Sequence, residues 1–347
     1  MSKRLTPMEC NPIARFNLNI DGTNPDNEIV SMDATVLELQ QQFTKTHQKP
    51  NNILQAELDE QLEWLDPKTG QKFGVMHLNR SAKGIPLVVT LSWGVNHDTH
   101  MGTREEVAQT AIQTGREMWV INNPSTGSDK LTKDQRKQLE SHIGFQTIAC
   151  SILRAMQNQG IKEVDLEGTS MGGRIAVCIA AYAHHYDIIV YNAVLIDPPG
   201  FENKQVLIQG RDFAAENPRL SKYVELSHEP ATQSEKQRPT GTLRYFARLA
   251  RADLLGIFKS YTKAMAKATI PSDIYAALRL QPHLIITIIY GTESNISSPR
   301  KIVEFYYALA IKEKKRLRLK VLPGDTHALG GGLSKRIAWY INQSLVN

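Results

Sequence analysis

Cysteine is scarce. The three in the chain, Cys10, Cys150 and Cys178, are odd in number and far apart, and no C-x-x-C pair occurs. That excludes a disulfide framework and a structural zinc ribbon, and it suits a reducing compartment. Long apolar runs are also missing. The longest, such as Leu284–Tyr290, have the length of a strand and cannot span a bilayer, so no integral membrane segment is expected. The first residues, MSKRLTPMEC, carry basic side chains with no apolar stretch after them, unlike a secretory leader; a cytoplasmic protein is expected. Charge of one sign does not dominate: 41 Lys and Arg face 35 Asp and Glu, a formal net charge of +6. That excess is too small to point to nucleic acid. His97 and His100 lie close together, but no third ligand is marked, so neither a metal nor another cofactor is expected.

What remains is an ordinary globular composition, 41% hydrophobic and 22% charged over 347 residues. From about residue 72 onward, short apolar runs alternate with amphipathic stretches. Ile85–Leu91, Met118–Ile121, Val164–Glu167, Ile188–Ile196, Leu284–Tyr290 and Leu317–Leu322 read as strands covered on both faces. Helical spacing marks Arg104–Gln113, Asp134–Gln159, Met171–His184, Pro299–Ile311 and Leu333–Leu345. The alternation predicts an α/β fold, a mainly parallel central sheet with helices on both faces. The core is expected in 61–198 and 283–347.

Two segments break the rhythm. Residues 1–60, rich in Asn, Gln and Thr, read as a partly ordered extension, with weak helical patterns at Thr35–Phe43 and Ile53–Trp64. Trp64–His77 reads as a hairpin around Lys68-Thr69-Gly70. Residues 199–282 are too many for a loop and predict an inserted helical cap. Within it Thr242–Met265 has an apolar face (Leu243, Phe246, Leu254, Ile257, Tyr261) and a basic one (Arg244, Arg248, Arg251, Lys259, Lys263). Residues 201–267 hold twelve basic against seven acidic residues, most of the chain's excess charge.

The sharpest pattern is Gly168-Thr169-Ser170-Met171-Gly172, a G-x-S-x-G run between a strand and a helix. It is not G-x-G-x-x-G, and no phosphate-loop lysine follows, which argues against a nucleotide site. On these residues, with a histidine in the expected downstream order, the chain from about residue 72 resembles the α/β-hydrolase family. The resemblance implies a nucleophile at Ser170, lifted off the sheet by a cramped turn. It also implies a base and an acid, in the order Ser, acid, His. His327, in Leu322-Pro-Gly-Asp-Thr-His, follows the last predicted strand and takes the place of the base. The usual position of the acid, three residues after Gly291, falls on Ser294, which cannot carry the charge. Glu293, one residue earlier, is the expected acid, with Asp197 at the end of the preceding strand as the rival. Asp325 would have to fold back along its own loop.

By the same resemblance the oxyanion hole takes the backbone N–H of Met171 and that of Val95, with Trp93 and Gly94 as near alternatives, in Ser92-Trp93-Gly94-Val95 where relatives carry His-Gly. The implied function is a serine hydrolase of a carboxylic ester, thioester or amide, working through an acyl-enzyme on Ser170 with His327 as general base. The expected partner is a small-molecule acyl substrate, and a homo-oligomer is compatible with the sequence. The same residues would serve an acyltransferase. A displaced acid and a long N-terminal extension would also suit an inactive binding protein of the same fold.

Overall fold

The structure is a computed structural model that describes residues 61–93, 95, 101–126, 128–213, 215, 254–322, 324–327 and 333–345. Eight strands form one sheet: β1 (Gln61–Leu65), β2 (Lys72–Leu78), β3 (Leu87–Thr90), β4 (Met118–Ile121), β5 (Glu163–Thr169), β6 (Ile189–Ile196), β7 (Ile285–Gly291) and β8 (Leu317–Leu322). Their order is β1-β2-β4-β3-β5-β6-β7-β8. β1 and β2 pair antiparallel, as do β2 and β4, and every other pair is parallel. The described helices include α1 (Met101–Thr114), α2 (Lys133–Glu140), α3 (Gln146–Asn158), α4 (Met171–Tyr182), α5 (Leu254–Met265), α6 (Ile270–Leu280), α7 (Pro299–Ala308), α8 (Ile311–Lys314) and α9 (Leu333–Leu345).

The strands are apolar on both sides because both sides are covered. Val75, Val88 and Leu166 join one buried cluster, to which α3, α4, α6 and α7 also contribute. Their strand neighbours Met76, Leu87 and Val89 join a second cluster with α1 and α9. Alternate side chains of a strand point to opposite faces, so the two clusters are the two sides of the sheet.

Several boundaries differ from the sequence reading for local reasons. The helix expected over Asp134–Gln159 is two helices, α2 and α3. Ser141 ends the first by turning its hydroxyl onto the Gln138 carbonyl at 2.6 Å, and Gly144 at φ +53 redirects the chain. A Thr132–Gln135 capping box starts α2. The helical pattern at Ile53–Trp64 runs, in its described part, into strand β1, where Trp64 packs edge-on against Trp119 at 5.6 Å. Thr35–Phe43 and the whole of 1–60 lie outside the described residues.

The hairpin β1–β2 turns through Asp66–Gly70. Asp66 is fully buried, and burial tends to raise its carboxyl. Hydrogen bonds from Arg154, Ser151, Thr69 and the Lys68 N–H outweigh that and hold it far below the usual carboxylate range. The segment expected as a cap is only partly described. Its C-terminal part belongs to the body of the molecule: Ile270, Ile274, Ala277 and Leu278 of α6 are buried in the larger cluster, and α6 packs on α4. Tyr261 of α5 stacks on Phe145 at 6.2 Å and donates to the Pro124 carbonyl at 3.0 Å. Arg244, Arg248 and Arg251 lie outside the described residues.

Candidate active site

The parallel register brings four strand ends to one edge. Thr90 of β3 pairs with Gly168 of β5, and Thr169 pairs with Ile196 of β6, which in turn pairs with Ile289 of β7. Main-chain bonding continues one step past the strands. Ser170 N–H donates to the Ile196 carbonyl and Asp197 N–H to the Ile289 carbonyl, each at 2.7 Å. Ser170 and Asp197 therefore leave the sheet side by side from adjacent strands, which lie about 4.8 Å apart.

Ser170 occupies the bend between β5 and α4 with φ 54 and ψ −119, a conformation rare for a residue with a side chain. The neighbouring glycines allow it. A methyl group on Gly168 would run into the Gly172 carbonyl, and one on Gly172 into the Thr90 carbonyl. Thr90 Oγ1 donates to the Gly172 carbonyl at 2.8 Å, and Ser92 Oγ donates to the Thr169 carbonyl at 3.2 Å, fastening β3 to the bend. Below it, Arg174 of α4 is fully buried. It donates to the carbonyls of Pro199 and Lys267 at 3.3 Å, and to Thr269. Its Pro199 bond ties the helix behind Ser170 to the turn that carries Asp197.

His327 arrives from the loop after β8. Its Nε2 lies 2.9 Å from Ser170 Oγ. Its Nδ1 meets Asp197 Oδ2. Asp197, at φ 44 and followed by two prolines, is completely buried. Ser294 donates to the same Oδ2 at 2.6 Å. The carboxylate against the imidazole is thus that of Asp197, and the expectation of Glu293 is corrected. Neighbours on the β7–α7 turn face opposite ways: Ser294 is buried beside Asp197, while Glu293 is exposed, its N–H on the Asp325 carbonyl at 2.9 Å. Asp197 leaves β6, the sheet neighbour of the strand that carries Ser170.

The Met171 N–H opens α4, among the first-turn donors that a helix cannot satisfy itself. Val95 is different from expectation. Its N–H donates to the Ser92 carbonyl at 3.2 Å, closing a turn, so it is spent within the loop rather than offered to a ligand. Gly94, His97 and His100 lie outside the described residues. Sequence reasoning missed Phe213, in a helical stretch at 206–213. Its ring stands edge-on to His327 at 5.6 Å and lies 5.4 Å from Trp93, an apolar wall beside Ser170 and His327. Nothing in the spacing of that stretch marks it. Among the described residues no group of three His, Cys, Asp or Glu could hold a metal ion, and no helix is long and apolar enough to cross a membrane.

No protein-family model matches the sequence, and no curated protein matches it. Solved structures do match its shape. A carboxylesterase of the thaumarchaeon Nitrososphaera gargenis superimposes with a TM-score of 0.52 at 15% identity, covering 81% of this chain and 95% of that one. The enol-lactonase of Burkholderia xenovorans LB400 gives 0.53 at 15% identity, over 80% of this chain and 96% of that one. A meta-cleavage product hydrolase from Pseudomonas fluorescens IP01 gives 0.53 at 15% identity, over 82% and 95%. With the strand order and the mainly parallel sheet, these matches establish that the chain has the α/β-hydrolase fold.

Proposed function

We propose that this protein is a serine hydrolase of small carboxylic esters, with Ser170 as nucleophile, His327 as general base and Asp197 as the acid that orients it. The observation that carries this reading is the unbroken chain of contacts from Ser170 Oγ through both ring nitrogens of His327 to Asp197. A serine hydroxyl is a weak nucleophile until a base takes its proton. His327 Nε2, at 2.9 Å, is within that reach. Asp197 fixes the tautomer that leaves Nε2 free to accept, and stabilises the imidazolium once it forms.

Attack on the ester carbonyl places a negative oxygen near the start of α4. The Met171 N–H and the positive end of the helix dipole favour it there, and a further amide of the turn after β3 completes the pair of donors. The imidazolium then protonates the departing alkoxide, leaving an acyl group on Ser170. Water, deprotonated by the same ring, attacks that acyl group and frees the acid. Trp93 and Phe213 give the acyl portion an apolar wall, which favours substrates with a hydrophobic acyl group over charged ones. The structural neighbours include a carboxylesterase and an enol-lactonase, which supports an ester as the substrate class.

The test is turnover of a short-chain p-nitrophenyl ester by the wild-type chain and by Ser170→Ala. Hydrolysis that disappears in the variant supports the proposal, and equal rates in the two overturn it.

A further inference from the structure

The acid of the site rests on one hydroxyl. We infer that Ser294 is a positioning residue for Asp197, fixing the carboxylate that orients His327; this rests on the catalytic reading above.

A serine oxygen offers one donor and two acceptor sites. At Ser294 both acceptor sites are taken, by the N–H groups of Ile296 and Ser297, each at 3.2 Å. The hydroxyl proton is left one direction, toward Asp197 Oδ2 at 2.6 Å. The turn enforces this arrangement. Ser294 N–H is bonded to the Gly291 carbonyl at 3.2 Å, so the residue is held through its own backbone as well as through the two amides it receives. Ser294 is buried, so water does not compete for the bond.

Asp197 has little else. Its carboxylate is completely buried, and Oδ1 has no hydrogen-bond partner among the described residues. A buried anion with two or three donors would be held in place by any of them. Here the histidine is the moving part of the reaction, neutral at one step and cationic at the next, and Ser294 is the fixed donor. Without it, Oδ1 and Oδ2 become interchangeable by rotation about the Cβ–Cγ bond, and the ring loses its single orientation. The bond also draws charge from the oxygen that faces Nδ1. Removing it leaves nothing to choose which carboxylate oxygen faces Nδ1.

The experiment measures kcat and KM of ester hydrolysis for wild type, Ser294→Ala and Ser294→Thr. Ser170→Ala and Asp197→Asn run alongside as controls. The expected result for Ser294→Ala is a kcat lower by roughly 10- to 100-fold, with KM within about twofold, as for loss of an interaction made in the transition state. Ser294→Thr, which keeps the hydroxyl, restores kcat. A wild-type kcat in Ser294→Ala, with both controls inactive, overturns the inference and leaves the catalytic reading standing. Activity retained by Ser170→Ala overturns the reading itself.

Should Ser294→Ala not fold, the pair Asp197→Asn/Ser294→Asp decides. A carboxylate at 294 reaches about one bond beyond the present Oγ, which lies 2.6 Å from the Asp197 oxygen that faces Nδ1. Activity about tenfold or more above Asp197→Asn alone supports the placement of Ser294, and activity equal to it counts against.

Discussion

The two halves of the candidate site are built by different means. On the β5 side, Ser170 is held by steric necessity: glycines at 168 and 172 let the backbone turn at a positive φ where β3 passes too close for a side chain. On the β6–β8 side, Asp197, Ser294 and His327 come from three separate loops and are joined by hydrogen bonds between side chains. The first half is local, held within one strand–turn–helix and its neighbour. The second exists only once the sheet has assembled. Arg174 joins them, bonded from the helix behind Ser170 to the carbonyl of Pro199 on the turn that carries Asp197. Sterically fixed positions tolerate no added atom, whereas hydrogen-bonded positions tolerate changes in shape but not in the order of donors and acceptors.

The largest expected effect is on the β5 side. Ser170→Ala lowers kcat on an ester by about 10⁴-fold or more, since the remaining groups have no nucleophile to activate. Next comes the contrast that separates the two loops. Asp197→Asn lowers kcat by roughly 10²- to 10⁴-fold, by leaving His327 in the wrong tautomer. Glu293→Gln, on the exposed side of its turn, stays within about twofold, as surface changes do. Equal losses in the two variants would break the contrast between β6 and β7. Gly172→Ala sharpens the steric half. The added methyl meets the Thr90 carbonyl, so thermal unfolding should show a loss of a few kcal/mol with activity falling in parallel. Wild-type stability in that variant would show the bend to be less confined than its contacts require.

The smallest effect concerns the link between the halves. Asp273 of α6 is buried near Arg174. Burial pushes its carboxyl up to about 6, against the opposing influences of Arg174, Cys178, Gln146 and Thr269. A carboxyl whose folded value exceeds the usual 3.8 holds its proton longer in the native state than in the unfolded chain. Its stabilising contribution is therefore complete at low pH and is lost as pH rises from about 4 to about 6. Asp273→Asn removes that titration. The stability of wild type relative to the variant should fall across this window by on the order of 2 kcal/mol, read from denaturant midpoints at pH 4 and pH 7. A constant difference would contradict the account.

Legibility in the sequence follows the same division. Met118–Ile121, Leu317–Leu322 and Leu333–Leu345 have the bounds that the apolar pattern predicts, because those elements are fixed by local periodicity. The bend at Ser170 was legible because tight turns demand glycine at set offsets, and His327 because it follows the last strand. The acid was not. Counting residues from Gly291 leads to Ser294 and Glu293, and nothing local shows that Ser294 turns its proton to a carboxylate from another strand. The split between α2 and α3 hid inside a helical spacing that runs across Ser141 and Gly144. Val95 lost its expected place because a four-residue turn consumed its N–H, a matter of backbone torsion that residue types do not encode.

The most direct measurement is intact-mass analysis after exposure to a fluorophosphonate, which phosphonylates only a serine activated by a base. The account predicts one adduct on the wild-type chain, equal labelling of Glu293→Gln, much slower labelling of Asp197→Asn and none on Ser170→Ala. An adduct that persists in Ser170→Ala, or an unlabelled wild-type chain, would contradict it.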